Sequence, residues 1–319
     1  MDQEQGDEGK AHALFAAQTG TVTQTPLWSL IRGMRPYQWV KNLLIFAPVV
    51  VAGNIESNEF QPLALAFILM CLISSCIYLL NDAHDVEADR AHEQKRHRPF
   101  AARELPLGLG LYGAPIAVAF ILSGVAIYST SLALLLGCYA AVSILYSFRL
   151  KAMAIYDLVA LAFLYIWRMV IGAEVTSTPV STWFFLFSAS AFFSLAVAKR
   201  VAEITANRTY FDSDVPGRGY RASDLPFMQA VGIASAFMSV IVFTLFIHLD
   251  PTVASRYARV DLLWGCAIVF TVWILVLWIK TTRGELHHDP IVYAFRDRAS
   301  LMLIIALVLL LLLSRHHTL

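Results

Sequence analysis

Apolar positions in this chain do not alternate, nor do they mark one helical stripe. They run on for whole stretches, broken by short polar or basic connections. A run of about 17 apolar residues or more reaches across a bilayer core as a helix. Nine such runs are read, at about 37–53, 62–80, 113–129, 131–147, 155–173, 182–198, 227–248, 260–280 and 299–314. Backbone polar groups in hydrocarbon must bond within their own segment, so each run is expected to be helical. The pattern predicts an all-α polytopic membrane protein, with 27–319 as one nine-helix transmembrane domain. Residues 1–26 are polar and acidic at the start, lack the basic-then-apolar layout of a signal peptide, and read as a disordered tail.

Composition agrees: 58% of the 319 residues are hydrophobic and only 15% charged, which excludes an ordinary soluble domain. Charge then adds a direction. Arg32, Arg35 and Lys41 precede or open the first run; Arg90, Lys95, Arg96, Arg98 and Arg103 fill the second connection. Arg149 and Lys151 lie in the fourth, Lys199, Arg200, Arg208, Arg218 and Arg221 in the sixth, and Lys280, Arg283, Arg296 and Arg298 in the eighth. Connections one, three and five carry no Lys or Arg, and only Arg256 and Arg259 break the alternation. The positive-inside rule puts the N-terminus and the basic connections in the cytoplasm, on the inner face of a plasma membrane. Cys71, Cys76, Cys138 and Cys266 lie within apolar runs without metal-ligand spacing and read as inert thiols.

One polar cluster is not explained by topology. Asn81, Asp82, Asp85 and Asp89 stand where the second run meets a basic connection. On one continuous helix the three aspartates fall within roughly 60° of each other. Such a stripe repels itself unless a divalent cation sits among the carboxylates, and Mg²⁺ takes hard oxygen ligands together with substrate phosphates. Lys95, Arg96 and Arg98 follow and suit an anionic leaving group.

Other polar groups gather at the same end. Gln38, Lys41 and Asn42 carry a polar stripe into the first run, and Tyr146 and Lys151 end the fourth. Lys199, Arg200 and Glu203 end the sixth, with Lys199 and Glu203 spaced for an ordinary surface pair. Asp212, Asp214, Tyr220 and Arg221 follow in a connection made irregular by Pro216, Gly217 and Gly219. Arg168, inside the fifth run, is expected to face the bundle in a structural hydrogen-bonding role. His287, His288 and Asp289 read as a solvated loop.

These residues together resemble the UbiA-type intramembrane prenyltransferase superfamily. Asn81, Asp82, Asp85 and Asp89 match its first motif, N-D-x-x-D-x-x-x-D. The resemblance implies nine helices around a central cavity open to the cytoplasmic side. Aromatic-acceptor members usually carry a second Asp-rich motif at the end of helix six; here Ala198–Lys199–Arg200–Val201–Ala202–Glu203 stands instead. That stretch, with R-P-x-Q-W-x-K-N at Arg35–Asn42, K-R-x-R-P at Lys95–Pro99, Y-S-x-x-L-K at Tyr146–Lys151, Asp289–Pro290 and Arg296–Asp297–Arg298, resembles the decaprenyl-phosphate phosphoribosyltransferase branch.

The branch implies transfer of 5-phosphoribose from phosphoribosyl diphosphate to a polyprenyl phosphate, for cell-wall arabinan precursors. Asp82, Asp85 and Asp89 would hold Mg²⁺, and Asp82, Asp85, Lys199 and Arg200 would act at the reacting groups. Gln38, Lys41, Asn42, Asn81, Lys95, Arg96, Arg98, Tyr146, Lys151, Glu203 and Tyr220 would line the substrates. The partners implied are the two phosphorylated substrates and the bilayer, with no nucleic acid and a homo-oligomer left open. The alternative within the fold moves a prenyl group from prenyl diphosphate to an aromatic or other acceptor. A transporter is the third reading, disfavoured because the acids collect at one membrane surface and nine runs do not halve.

Overall fold

A computed structural model describes residues 25–52, 57–93, 95–206, 219–286 and 289–315. The expected tail (apart from Thr25 and Pro26) lies outside these, as do Asp212, Asp214, Pro216, Gly217, His287 and His288. Among the described residues every regular element is helical.

A short helix, α1 (Pro26–Met34), comes first, followed by a 3-10 segment, Pro36–Phe46, and α2 (Ala47–Ala52). The long α3 (Ser57–His84) runs into α4 (Val86–Ala91). Then come α5 (Ala114–Tyr128), α6 (Thr130–Phe148), α7 (Tyr156–Val175), α8 (Thr182–Ala206) and α9 (Leu225–Leu249). The chain ends through α10 (Thr252–Arg256), α11 (Val260–Thr282), α12 (Pro290–Arg296) and α13 (Arg298–Leu313).

Among the described residues seven helices are long and apolar enough to cross a membrane, against the nine runs read in the sequence. The two remaining runs take other forms. The last is the 16-residue α13. The first is the 11-residue 3-10 segment joined to six-residue α2. A 3-10 helix rises about 2.0 Å per residue, so the two pieces together extend about 30 Å, a bilayer core's thickness, in fewer residues than an α-helix needs. Pro36 opens this segment and Pro48 sits just inside α2, where a missing N–H is tolerated.

The bundle is apolar outside as well as inside. Ile127 is 91% exposed, Phe120 80% and Leu134 69%, a surface that water would not tolerate and lipid satisfies. This is a multi-pass membrane protein. Small residues let helices close on each other. At Gly232 a side chain would collide with Trp278 and Val197; there the Trp278 indole donates to Ser194 Oγ at 3.0 Å, and Ser194 donates to the Gly232 carbonyl at 2.8 Å. One hydrogen-bonded point thus fastens α8, α9 and α11.

Arg168 takes the structural role expected of it. Buried in α7, its guanidinium donates to Asn42 Oδ1 at 2.9 Å, to the Tyr139 hydroxyl at 2.8 Å and to the Leu164 carbonyl at 2.5 Å. Every side of the charge meets an acceptor, which is what permits it in hydrocarbon. Through Asn42, whose amide reaches Ser74 Oγ at 3.3 Å, Arg168 ties the first segment to α3 and α6.

Candidate functional site

Polar side chains collect at the end of the bundle that carries the basic connections, in three neighbouring clusters. The first surrounds the aspartates. Their helix does not run through: α3 stops at His84, Asp85 occupies a turn, and Asp89 belongs to α4. The single stripe expected from the sequence is therefore divided. Asp82 and Asp89 are buried, at 2% and 3% exposure, whereas Asp85 is half-buried.

Cations answer the repulsion between these acids. Arg35 sits at φ 54, the left-handed turn between α1 and the first segment, and reaches both Asp82 oxygens at 2.5 and 2.6 Å. Arg98 Nη1 joins Asp82 at 3.0 Å to Asp89 at 2.8 Å. Asp85 turns the other way, to Lys151 Nζ at 2.7 Å and His84 Nδ1 at 3.0 Å. Burial alone would raise the Asp85 carboxyl; the bonds from Lys151 and His84 outweigh it and hold the group below its ordinary value. Burial likewise opposes the Arg35 charge, and Asp82 more than restores it.

Asp82, Asp85 and Asp89 offer hard carboxylate oxygen, the donor type that Mg²⁺ takes. Among the described residues no three His, Cys, Asp or Glu side chains close around one point as a ready-made cage. Arg35, Arg98 and Lys151 engage the acids instead.

The second cluster was missed in the sequence. Asp289, expected in a solvated loop, is buried at the N-terminus of α12. Its carboxylate lies 2.8 Å from Lys41 Nζ and 3.2 Å from Lys199 Nζ, and accepts from the Tyr165 hydroxyl at 3.0 Å. Lys199 thus pairs with Asp289, while the Glu203 expected beside it is taken by Arg200. Tyr78, one turn before Asp82 on α3, has its ring 5.2 Å beneath Arg35. Arg35 of the first cluster and Lys41 of the second are six residues apart, about 12 Å along a 3-10 axis.

The third cluster is a buried lock. Arg200, expected at the reacting groups, is 0% exposed and bound to Asp157 at 2.5 Å and to Glu203. The Tyr220 hydroxyl donates to Asp157 at 2.5 Å and accepts from the Ile155 amide at 2.7 Å, so this side chain, expected to touch substrate, is committed inside the protein. Tyr146 stands at the edge, its hydroxyl 3.5 Å from Arg200. Nothing local marked Asp157, and Asp289 stood out only as part of Asp289–Pro290 in the family resemblance; each meets a basic residue from a distant segment.

Of the remaining site candidates, Lys95 and Arg96 are exposed and Asn81 is half-buried. Asn42 is committed to Arg168, as described. Gln38 Oε1 is buried without a hydrogen-bond partner, beside the first two clusters in sequence.

The UbiA prenyltransferase family matches residues 43–297. The chain is 34% identical to nodulation protein NoeC of Azorhizobium caulinodans, over 90% of this chain and 94% of NoeC. It is also 34% identical to y4nM of Sinorhizobium fredii over 86% of this chain, spanning only about half, 54%, of that relative. The decaprenyl-phosphate phosphoribosyltransferase of Mycolicibacterium smegmatis is 32% identical over 87% of this chain and 89% of its own length. In fold, a UbiA homolog of Archaeoglobus fulgidus, solved with DMAPP and Mg²⁺, superposes with a TM-score of 0.67 at 15% identity, covering 89% of this chain and 99% of that one. The clustered aspartates, the all-helical bundle and a match over most of the chain agree: it belongs to the UbiA prenyltransferase family.

Proposed function

We propose that the protein transfers 5-phosphoribose from phosphoribosyl diphosphate to a polyprenyl phosphate, releasing diphosphate, at the cytoplasmic face of the plasma membrane. The observation that carries this reading is the pair of ammonium groups, Lys41 and Lys199, gathered on Asp289 beside the aspartate cluster. Two phosphorylated partners repel each other, and bringing them together needs positive charge in two places. Arg35, Arg98 and Lys151 supply one, among the acids; Lys41 and Lys199 supply the other. The relationship to decaprenyl-phosphate phosphoribosyltransferases supports the same donor and acceptor. The product would be a lipid-linked pentose phosphate of the kind used for cell-wall arabinan.

In this scheme Asp82, Asp85 and Asp89 would hold Mg²⁺, whose charge would favour departure of the diphosphate. Arg98 and Lys151, already among those acids, donate to the diphosphate oxygens and steady the charge that gathers on the leaving group. Ribose C1 becomes cationic as its bond to the diphosphate breaks, and an acceptor phosphate oxygen forms the new bond from the opposite face. That phosphate is anionic near neutral pH, so no side chain has to remove a proton. Lys41 and Lys199 orient it or the donor's 5-phosphate. The polyprenyl tail stays in lipid or between helices.

A second reading, prenyl transfer from a prenyl diphosphate, draws on the fold likeness to the Archaeoglobus protein solved with DMAPP and Mg²⁺. One assay separates the two. Membranes holding the protein receive labelled phosphoribosyl diphosphate and polyprenyl phosphate, with and without Mg²⁺. Metal-dependent labelling of the lipid is expected. No labelled lipid from that donor, together with prenyl transfer from prenyl diphosphate, would establish the second reading.

A further inference from the structure

Asp289 is spent on neighbours from four different elements. Its Oδ2 lies 2.8 Å from Lys41 in the first segment and 3.2 Å from Lys199 on α8. Tyr165 on α7 donates to Oδ2 at 3.0 Å. Oδ1 accepts from the Ile291 amide at 3.3 Å, capping α12. At 4% side-chain exposure the carboxylate has no open face for a metal or a substrate proton. Burial alone would raise this carboxyl; Lys41, Lys199 and Tyr165 hold it far below the ordinary range instead, so it stays ionised.

Its effect is therefore on the lysines. Two ammonium groups this close repel, and the shared carboxylate is what keeps them together. Two cations on one anion leave one positive charge over. Each ammonium has three donors and spends one on Asp289, so several remain. The lysine side chains are also the more accessible partners, at 10% and 22%.

We propose that Asp289 is a positioning residue that holds Lys41 and Lys199 as a clamp for one phosphate monoester. The assignment rests on the transfer reading above and deepens it. A monoester offers three terminal oxygens, enough to accept from both lysines while each keeps its bond to Asp289. Two substrates carry that group: the polyprenyl phosphate, and phosphoribosyl diphosphate at its 5-position. The diphosphate belongs with the aspartates.

The clamp is tested without turnover. Full-length protein in detergent is exposed to an amine-acylating reagent over a series of inorganic phosphate concentrations, and modification of Lys41 and Lys199 is read by mass spectrometry. Phosphate protects both lysines together in the wild type. In Asp289→Asn the phosphate needed rises by about tenfold or more. Asp289→Glu restores part of the protection, and Tyr165→Phe, which keeps the carboxylate and both lysines, shifts it less in the same direction. Protection of neither lysine in the wild type, or protection of Asp289→Asn at wild-type concentrations, overturns the clamp.

Steady-state kinetics then identify the source. A raised KM for polyprenyl phosphate alone in Asp289→Asn assigns the acceptor, and a raised KM for phosphoribosyl diphosphate alone assigns the 5-phosphate. Unchanged KM for both, with less folded protein as the only effect, means a structural role and overturns the proposal. If phosphate protects the lysines but phosphoribosyl diphosphate gives no labelled lipid, the transfer reading fails and the clamp stands.

Discussion

Lys151 Nζ stands 2.7 Å from Asp85 Oδ2, joining residues 66 positions apart in the chain. The bond fixes the 3-10 turn after α6, Leu150–Ala152, to the turn between α3 and α4. It also sets a pH dependence. Asp85 is held below its ordinary value, so its paired form is fully present above the ordinary carboxylate pKa and is lost as pH falls through the lowered one. Lys151→Gln removes a main cause of the lowering. The acid limb of the transfer–pH profile is expected to move to higher pH, with kcat/KM down by about tenfold at neutral pH. An acid limb that does not move would separate Asp85 from the rate.

Asp82 and Asp85 are expected to differ when each becomes asparagine. Asp85 is half-buried with Lys151 and His84 beside it, so Asp85→Asn should lower transfer by about a hundredfold while the thermal midpoint holds. Asp82 is 2% exposed and neutralises both Arg35 and Arg98. Asp82→Asn strands the Arg35 guanidinium, leaves Arg98 to Asp89 alone, and costs about 3 kcal/mol of stability as well as activity. Thermal unfolding in detergent alongside the lipid-labelling assay distinguishes the two.

The apolar runs made the helical bundle legible because run length alone sets membrane spans. They could not reveal that the segment around Lys41 winds as a 3-10 helix, nor that Asn42 on it is bonded sideways to Arg168, 126 residues away. The aspartates were legible through their spacing, yet the turn at Asp85 that divides them was not, since nothing local demands it. Asp289 was legible only through the family resemblance and Asp157 not at all, for a shared reason. A buried acid is explained by the cation it meets, and Lys41, Lys199 and Arg200 come from distant segments. Arg200 misled in the opposite way: a base at a membrane surface reads as a ligand, and its complete burial is a tertiary fact.

Arg200 and its neighbour Lys199 therefore invite opposite outcomes. Arg200→Met leaves Asp157 buried without its cation and should cost about 3–5 kcal/mol. Adding Asp157→Leu removes the stranded acid and should recover most of that stability, together with transfer, since an apolar pair can replace a buried ion pair. Lys199→Gln is expected to leave the unfolding midpoint nearly unchanged while lowering transfer by about tenfold. A stable double variant without transfer would return Arg200 to the reacting groups.

The packing of α7 on the first segment carries the last prediction. A side chain at Gly172 would fall on the carbonyl of Ile45, and backbone cannot rotate aside as a side-chain tip can. Gly172→Val should therefore push the 3-10 segment outward and cost about 1–3 kcal/mol or more. Lys41 lies one turn of that segment before Ile45 and meets Asp289 at 2.8 Å, so the same displacement opens the lysine pair. Transfer per folded molecule is then expected to fall, beyond what lost stability explains. Gly124 is the control: nothing lies within 4 Å of a side chain built there, and Gly124→Ala should gain up to about 1 kcal/mol from helix propensity with transfer intact. If Gly172→Val unfolds more easily yet transfers normally while folded, the first segment tolerates displacement and its winding does not set the position of Lys41.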